Sequence, residues 1–142
     1  MFILKYRIIF QRVFQMNILI VDDSTIMRTV LKNTISRHAD AENFEFFSAE
    51  NGLIGLEVLK ANNINIMFLD WNMPVMTGEE LVHKMREDKT LNKVRIIMAT
   101  TEGARSQVIK MAKKGVNGYL VKPFNHDAVM KAFDAVYARM PK

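Results

Sequence analysis

The chain has 142 residues and a formal net charge of +5, and it contains no cysteine. Disulfide bonds and thiolate metal sites are therefore excluded, and a reducing compartment such as the cytoplasm is the expected location. The length predicts one domain with a full hydrophobic core. No apolar run approaches the roughly 18 residues that a membrane-spanning helix needs, so we expect no membrane span.

Charge is distributed unevenly along the chain. Residues 16–102 contain thirteen acidic and nine basic residues, whereas residues 103–142 contain two acidic and eight basic residues. A basic C-terminal third indicates either a docking face for an acidic partner or lysines that only keep helix faces in contact with solvent.

The first fifteen residues, MFILKYRIIFQRVFQ, form an apolar and basic extension ahead of a domain predicted over residues 16–142. Lys5, Arg7 and Arg12 interrupt any apolar core of a secretory signal. Two interpretations stay open. One is a helix that docks on a membrane surface, since apolar residues recur at helical spacing. The other is an upstream start codon in the gene, since Met16 opens a well-formed strand.

From residue 16 onward, five apolar runs alternate with five segments of helical periodicity. The predicted strands cover residues 18–21, 44–49, 64–69, 94–99 and 119–121. The first predicted helix is capped by Ser24 and runs to about residue 35. The other predicted helices cover residues 53–61, 79–88, 106–114 and 125–139. This alternation predicts an α/β fold with one doubly wound parallel sheet and right-handed crossovers. The flavodoxin-like (βα)5 strand order 2-1-3-4-5 is expected, because it makes the first and third strands neighbours.

The chain is organised around residues 66–78, IMFLDWNMPVMTG, where an apolar run ends abruptly at Asp70. A short apolar run of this kind is typical of a strand buried on both faces. The carboxyl ends of parallel strands meet at one edge of a sheet, where ligands bind. The side chains that follow the predicted strands are Asp22, Asp23, Asp70, Thr100 and Lys122. Three carboxylates against one ammonium resist joint ionisation unless a hard cation joins them, and Mg²⁺ is the expected ion.

Four motifs carry a resemblance to a known family. They are VDDS at 21–24, LDWNMP at 69–74 with Thr77-Gly78, MATTE at 98–102 and YLVKPF at 119–124. In this order and spacing, the chain over residues 16–142 resembles the receiver domain of two-component response regulators. The segments DDSTIMR and DWNMP are more similar to single-domain chemotaxis regulators than to transcriptional receivers, and no second domain follows the last predicted helix.

The resemblance implies that Asp70 is a phosphoacceptor, whose carboxylate attacks a phosphohistidine on a chemotaxis-type sensor histidine kinase. Such a protein catalyses only its own phosphorylation and dephosphorylation. Asp23, Asp70 and the backbone carbonyl of Asn72 would bind Mg²⁺ directly, with Asp22 acting through water. Asn72 and Glu102 would tune hydrolysis of the acyl phosphate, with a phosphatase as a possible further partner.

The resemblance also implies how the signal leaves the site. Lys122 and the Thr100 hydroxyl would contact the phosphoryl group, and Tyr119 would turn inward with Thr100. The fourth helix, fifth strand and fifth helix would then bind an acidic peptide of a flagellar motor switch protein. Ala132 and Ala135 depart from the family here, since many relatives carry lysines at these positions. The family also predicts a cis bond between Lys122 and Pro123.

Four alternative functions compete with this interpretation. A phosphorelay carrier would pass its phosphoryl group to a histidine phosphotransferase. A haloacid-dehalogenase-like phosphohydrolase needs an aspartate two residues after the nucleophile, where this chain has Asn72. In a flavodoxin, Asp22 and Asp23 would repel the phosphate of FMN. The basic C-terminal third could suggest DNA binding, but it has no helix-turn-helix pattern, so we expect no nucleic-acid partner.

Overall fold

The computed structural model describes residues 15–101 and 105–141, without the side chain of Arg105. The predictions for residues 1–14 and for Glu102 fall outside the described residues and stay predictions. The strands are β1 (Met16–Val21), β2 (Phe44–Ala49), β3 (Ile66–Asp70), β4 (Arg95–Thr100) and β5 (Gly118–Val121). The helices are α1 (Thr25–Ile35), α2 (Gly52–Ala61), α3 (Gly78–Glu87), α4 (Arg105–Lys113) and α5 (His126–Tyr137), with a short 3-10 helix at Ala41–Asn43.

The sheet has the predicted order β2-β1-β3-β4-β5, and every neighbouring pair of strands is parallel. Side chains alternate between its two faces. Ile18, Phe68 and Ile97 pack against α1 and α5, and Leu19, Met67 and Met98 pack against the helices on the other face. All six are buried, which explains why these strands show as continuous apolar runs in the sequence. Within the described part of the chain, no helix combines the length and hydropathy needed to cross a bilayer.

Two strand starts differ from the prediction by two residues, and the other strand boundaries agree with it to within one residue. β1 begins two residues early, at Met16, which pairs with Phe44. β3 begins two residues late, at Ile66. Ile64 is buried, but its backbone N–H donates to the Asn62 carbonyl at 3.1 Å within the loop, so its side chain joins the core without joining the ladder. An apolar residue signals burial, and burial alone does not specify strand pairing.

Four helices begin at the carboxyl edge of the sheet with the same side-chain cap. The caps are Ser24, Asn51, Thr77 and Asn125, and each side-chain oxygen accepts from the backbone N–H three residues later. Ser24 confirms the predicted cap of α1, and Asn125 caps α5 instead of forming its first turn. Each cap contributes about 1 kcal/mol to stability and holds a helix start in register with the preceding strand.

The loop after α1 is attached to α5 by a network that the sequence did not predict. His38 Nε2 lies 2.8 Å from Asp134 Oδ1, and the Asp40 N–H donates to His38 Nδ1 at 3.0 Å. The Tyr137 hydroxyl donates to Asp40 at 2.8 Å. Burial, together with Asp40, raises the pKa of Tyr137 to about 12. These contacts hold the loop against α5.

The loop between β3 and α3 folds back tightly on the end of β3. The Gly78 N–H donates to the Trp71 carbonyl at 3.0 Å, and a Cβ at Gly78 would lie 2.8 Å from the Asp70 carbonyl oxygen, so no larger residue fits. Within this loop, Val75 has a φ of 71°, and the Met76 N–H donates to the Pro74 carbonyl at 2.8 Å. This is a γ-turn of the positive-φ form, which is strained for a β-branched residue.

Replacing Val75 by Asn should therefore stabilise the protein. The Val75 side chain is 76% exposed, so little packing is lost, whereas Asn tolerates positive φ. We expect the free energy of unfolding to rise by about 1 kcal/mol in urea denaturation. Val75→Ala is the control. It should raise the free energy of unfolding by less, because alanine still disfavours this conformation. An unchanged or lowered stability in Val75→Asn would show that the turn is not strained.

Candidate functional site

The carboxyl ends of β1, β3, β4 and β5 bring the predicted polar residues to one edge of the sheet. Asp22 is 1% exposed and Asp70 is 6% exposed, whereas Asp23 is open to solvent. One carboxylate oxygen from each of these three residues lies within 4.8 Å of the other two. Three acidic groups from two neighbouring strands thus share one pocket, as the strand order predicted.

Lys122 is the cation of this pocket. Its Nζ lies 2.9 Å from Asp22 Oδ2 and 3.5 Å from Asp70 Oδ1. The backbone N–H of Lys122 donates to the Thr100 carbonyl at 2.7 Å, which connects the end of β5 to the end of β4. The following bond to Pro123 is cis, as the family resemblance implied. The ammonium therefore bridges carboxylates that belong to two different strands.

Both carboxylate oxygens of Asp22 accept hydrogen bonds. Its Oδ1 accepts from the Ser24 N–H at 2.9 Å, and its Oδ2 accepts from Lys122. Its backbone carbonyl accepts from the Arg28 guanidinium at 2.5 Å. The prediction did not include Arg28, because a helix residue six positions beyond Asp22 acquires this contact only when α1 folds back over the edge. With both carboxylate oxygens engaged, Asp22 is less available than Asp23 as a direct metal ligand.

The electrostatics of the pocket raise the pKa of Asp70 to about 6. Burial is the largest cause and the nearby Asp22 is the next, while Lys122 and the Asn72 N–H, 3.3 Å from Asp70 Oδ1, act in the opposite direction. Burial by itself would lower the pKa of Lys122, but its hydrogen bonds and charge interactions with Asp22 and Asp70 raise it. The pocket thus contains a lysine whose charged form is favoured and a carboxylate, Asp70, whose ionised form is disfavoured.

The donor set fits a hard divalent cation. It offers carboxylate oxygens and no sulfur, which suits Mg²⁺ and does not favour softer metals. The raised pKa of Asp70 has the same cause, because a cation would remove the repulsion that resists its ionisation. Asn72, two residues beyond Asp70, is exposed to solvent.

The two predicted switch residues occupy different environments. Thr100 is fully buried at the end of β4, where it pairs in register with Val121. Tyr119 pairs with Met98 and is 47% exposed, so its ring lies outside the carboxylate pocket. It contributes instead to a groove of about 640 Å³ between β5 and α5. Ala132 and Ala135 line the same groove, and their small side chains widen it.

The comparisons with known proteins define the class. The chain belongs to the response regulator receiver domain family, which matches residues 18–134. It is 43% identical over 122 residues to chemotaxis protein CheY1 of Helicobacter pylori, covering 85% of this chain and 96% of the relative. It is 41% identical to the CheY homologue of Campylobacter jejuni, covering 85% and 92%. The structure of CheY4 from Vibrio cholerae superposes with a TM-score of 0.77 at 30% identity, covering 86% of this chain and 98% of that one. The chain is therefore a receiver domain homologous to CheY chemotaxis proteins, and the flavodoxin-like fold is confirmed.

Removing the Asp70 charge should stabilise the metal-free protein. The pKa of Asp70 is about 6 in the folded state against 3.8 for an unperturbed carboxyl, so ionisation above pH 4 favours the unfolded chain. We expect Asp70→Asn to raise the free energy of unfolding at pH 7 by on the order of 2 kcal/mol. The gain should be roughly halved at pH 5, where the folded carboxyl is mostly protonated.

The measurement is urea unfolding in EDTA at both pH values. Glu57→Gln is a suitable control, because it removes a carboxylate from the exposed face of α2. A gain for Asp70→Asn that matches the control, or that grows as the pH falls, would contradict the electrostatic account.

Proposed function

We propose that this protein is a single-domain response regulator of chemotaxis, phosphorylated on Asp70 by a histidine kinase in a Mg²⁺-dependent reaction in the cytoplasm. The observation that carries the proposal is the position of Asp70. Its carboxylate is nearly buried, within 4.8 Å of two other carboxylates and 3.5 Å from an ammonium. Clusters of perturbed ionisable groups occur at functional sites, and phosphoryl transfer to a carboxylate uses a nucleophile with positive groups placed beside it.

The chemistry needs one nucleophile and several positive groups. A carboxylate oxygen of Asp70 forms a bond to phosphorus while the bond from phosphorus to the histidine nitrogen breaks, and the electron pair leaves with the imidazole. Lys122 faces the oxygens of the transferred group, and the Thr100 hydroxyl is proposed to hydrogen-bond one of them afterwards. Asp23, Asp70 and the Asn72 carbonyl would hold Mg²⁺, with Asp22 acting through water. When bound, the metal supplies charge neutralisation for the transferring phosphoryl group.

Phosphorylation at Asp70 is proposed to act on the face formed by α4, β5 and α5. Thr100 ends β4 next to β5, and Tyr119 lies on β5 with its ring exposed beside the groove. A rotation of Tyr119 inward would change that groove, and a partner with different affinities for the two forms would detect the change. Asn72 and Glu102 are proposed to set how long the acyl phosphate lasts.

The same face indicates the chemistry of its partner. Tyr119, Val121 and Ile109 are exposed apolar side chains on β5 and α4, and the same elements and α5 carry exposed lysines at 110, 113 and 131. A basic surface with an apolar centre fits an acidic amphipathic peptide. The family resemblance implies that this partner is a flagellar motor switch protein. A phosphorelay carrier would share the phosphorylation chemistry without this output.

Phosphorylation should depend on both Asp70 and Mg²⁺. Incubation with radiolabelled acetyl phosphate should label the wild-type protein, and either Asp70→Asn or EDTA should abolish labelling, because the nucleophile or its counter-charge is lost. Asp127→Asn on α5 is a matched control and should label normally. Retained label in Asp70→Asn, located by mass spectrometry on another residue, would disprove the assignment.

Beryllofluoride, an acyl-phosphate mimic, should strengthen binding of the N-terminal peptide of a flagellar motor switch protein. We expect about a tenfold gain, equivalent to about 1.4 kcal/mol of coupling, measured by fluorescence titration. Thr100→Ala should reduce the gain while Asp70 is still phosphorylated, because it removes the hydroxyl at the end of β4. Thr101→Ala, at the exposed neighbouring position, is the control. Equal affinity with and without beryllofluoride would favour the phosphorelay carrier.

A further inference from the structure

Arg28 contacts the turn between β1 and α1 at three points. Its guanidinium donates from Nη1 to the Asp22 carbonyl at 2.5 Å and from Nη2 to the Thr25 hydroxyl oxygen at 3.1 Å. Its backbone N–H donates to the Ser24 carbonyl at 3.0 Å, which is the first hydrogen bond of α1. One residue of the helix therefore holds the segment that carries two of the three carboxylates of the pocket.

The carbonyl that accepts from Arg28 belongs to the peptide group that joins Asp22 to Asp23. This group is planar, so a hydrogen bond that holds its oxygen fixes the orientation of the whole group. The neighbouring groups are held as well. The Asp22 N–H donates to the Ala49 carbonyl at 3.1 Å, and the Ser24 N–H donates to Asp22 Oδ1 at 2.9 Å. The freedom that remains is rotation of this peptide group, which would change the direction of the Asp23 side chain.

Asp23 depends on its backbone for its direction. Its side chain is exposed, and among the described residues its carboxylate accepts no hydrogen bond and forms no ion pair. One of its oxygens nevertheless lies within 4.8 Å of carboxylate oxygens of Asp22 and Asp70. Repulsion from these two groups favours a side chain that points away from them. The orientation of the peptide group before Asp23 is therefore what keeps its carboxylate at the pocket.

Arg28 does not act as a counter-charge in this structure. Both hydrogen bonds of its guanidinium go to uncharged oxygens, and within the described part of the chain it forms no ion pair. Lys122 makes the ion pairs of the pocket. The two roles have opposite consequences for a bound cation. A nearby positive charge weakens Mg²⁺ binding by repulsion, whereas a residue that orients a metal ligand strengthens it.

We propose that Arg28 is a positioning residue for metal binding, which fixes the peptide group between Asp22 and Asp23 so that the Asp23 carboxylate stays beside Asp70. The inference rests on the proposed use of Mg²⁺ in this pocket. It assigns the role to the two hydrogen bonds of the guanidinium and not to its charge. Mg²⁺ affinity, and not the chemistry at Asp70, is the property that Arg28 controls.

The test measures the Kd of Mg²⁺ from the fluorescence of Trp71, which follows Asp70 and is the only tryptophan of the chain. Arg28→Ala should raise this Kd about tenfold, because the ligand Asp23 loses its support. Arg28→Lys keeps the charge and one donor nitrogen, so its Kd should lie between those of wild type and Arg28→Ala. Lys32→Ala removes an exposed cation one turn further along α1 and is the charge control. Its Kd should equal that of wild type or be lower.

Labelling by acetyl phosphate separates positioning from chemistry. At saturating Mg²⁺, Arg28→Ala should be labelled on Asp70 at a rate within about twofold of wild type, while the Mg²⁺ concentration that gives half of the maximal rate should rise about tenfold. Circular dichroism in EDTA identifies conditions in which each variant is folded. A loss of stability is then not mistaken for a loss of affinity.

The positioning role is overturned if Arg28→Ala binds Mg²⁺ as tightly as wild type or more tightly, or if Lys32→Ala weakens binding to the same extent. If Arg28→Ala does not fold, Arg28→Lys carries the test, and a wild-type Kd in that variant overturns the role. The proposed function fails with it if Mg²⁺ changes neither the fluorescence nor the labelling of the wild-type protein. If the wild type responds to Mg²⁺ and Arg28→Ala matches it, only the positioning role fails.

Discussion

The repulsion among three carboxylates at one edge of the sheet is the constraint on which the rest of the structure depends. Asp22 and Asp70 are nearly buried and Asp23 adjoins them, and the Lys122 ammonium offsets part of their charge. The fold tolerates this because capped helices and a well-packed sheet supply stability elsewhere. The proposed function explains a pocket with such an energetic cost, because a bound cation and a phosphoryl group would use its charges.

The same edge connects the pocket to the α4–β5–α5 face. Thr100 and Tyr119 lie on the neighbouring strands β4 and β5, and under the proposed function a change there would govern which partner binds. The parallel sheet makes this connection short, because every strand delivers its last residue to one edge.

The backbone strain found in the described residues lies near the pocket. Val75 adopts positive φ within the loop that follows Asp70, and Gly78 lets that loop fold against the end of β3. The distant loop after α1 is different, because His38, Asp40 and Tyr137 satisfy one another's hydrogen bonds. Unfavourable local features near the site and satisfied networks away from it are expected when selection acts on function at one place and on stability at the other.

The sequence alone determined the alternation of strands and helices, the parallel sheet, and the meeting of Asp22, Asp23, Asp70, Thr100 and Lys122 at one edge. Strand periodicity and the geometry of parallel sheets impose these features locally. Only the tertiary structure decided that Lys122 bridges Asp22 and Asp70, that Arg28 supports the backbone of Asp22, and that Tyr119 lies outside the pocket. Only the structure showed that Val75 combines strain with exposure. Each of these depends on distances between segments far apart in the chain or on a backbone angle, and neither quantity is encoded in residue type and spacing alone.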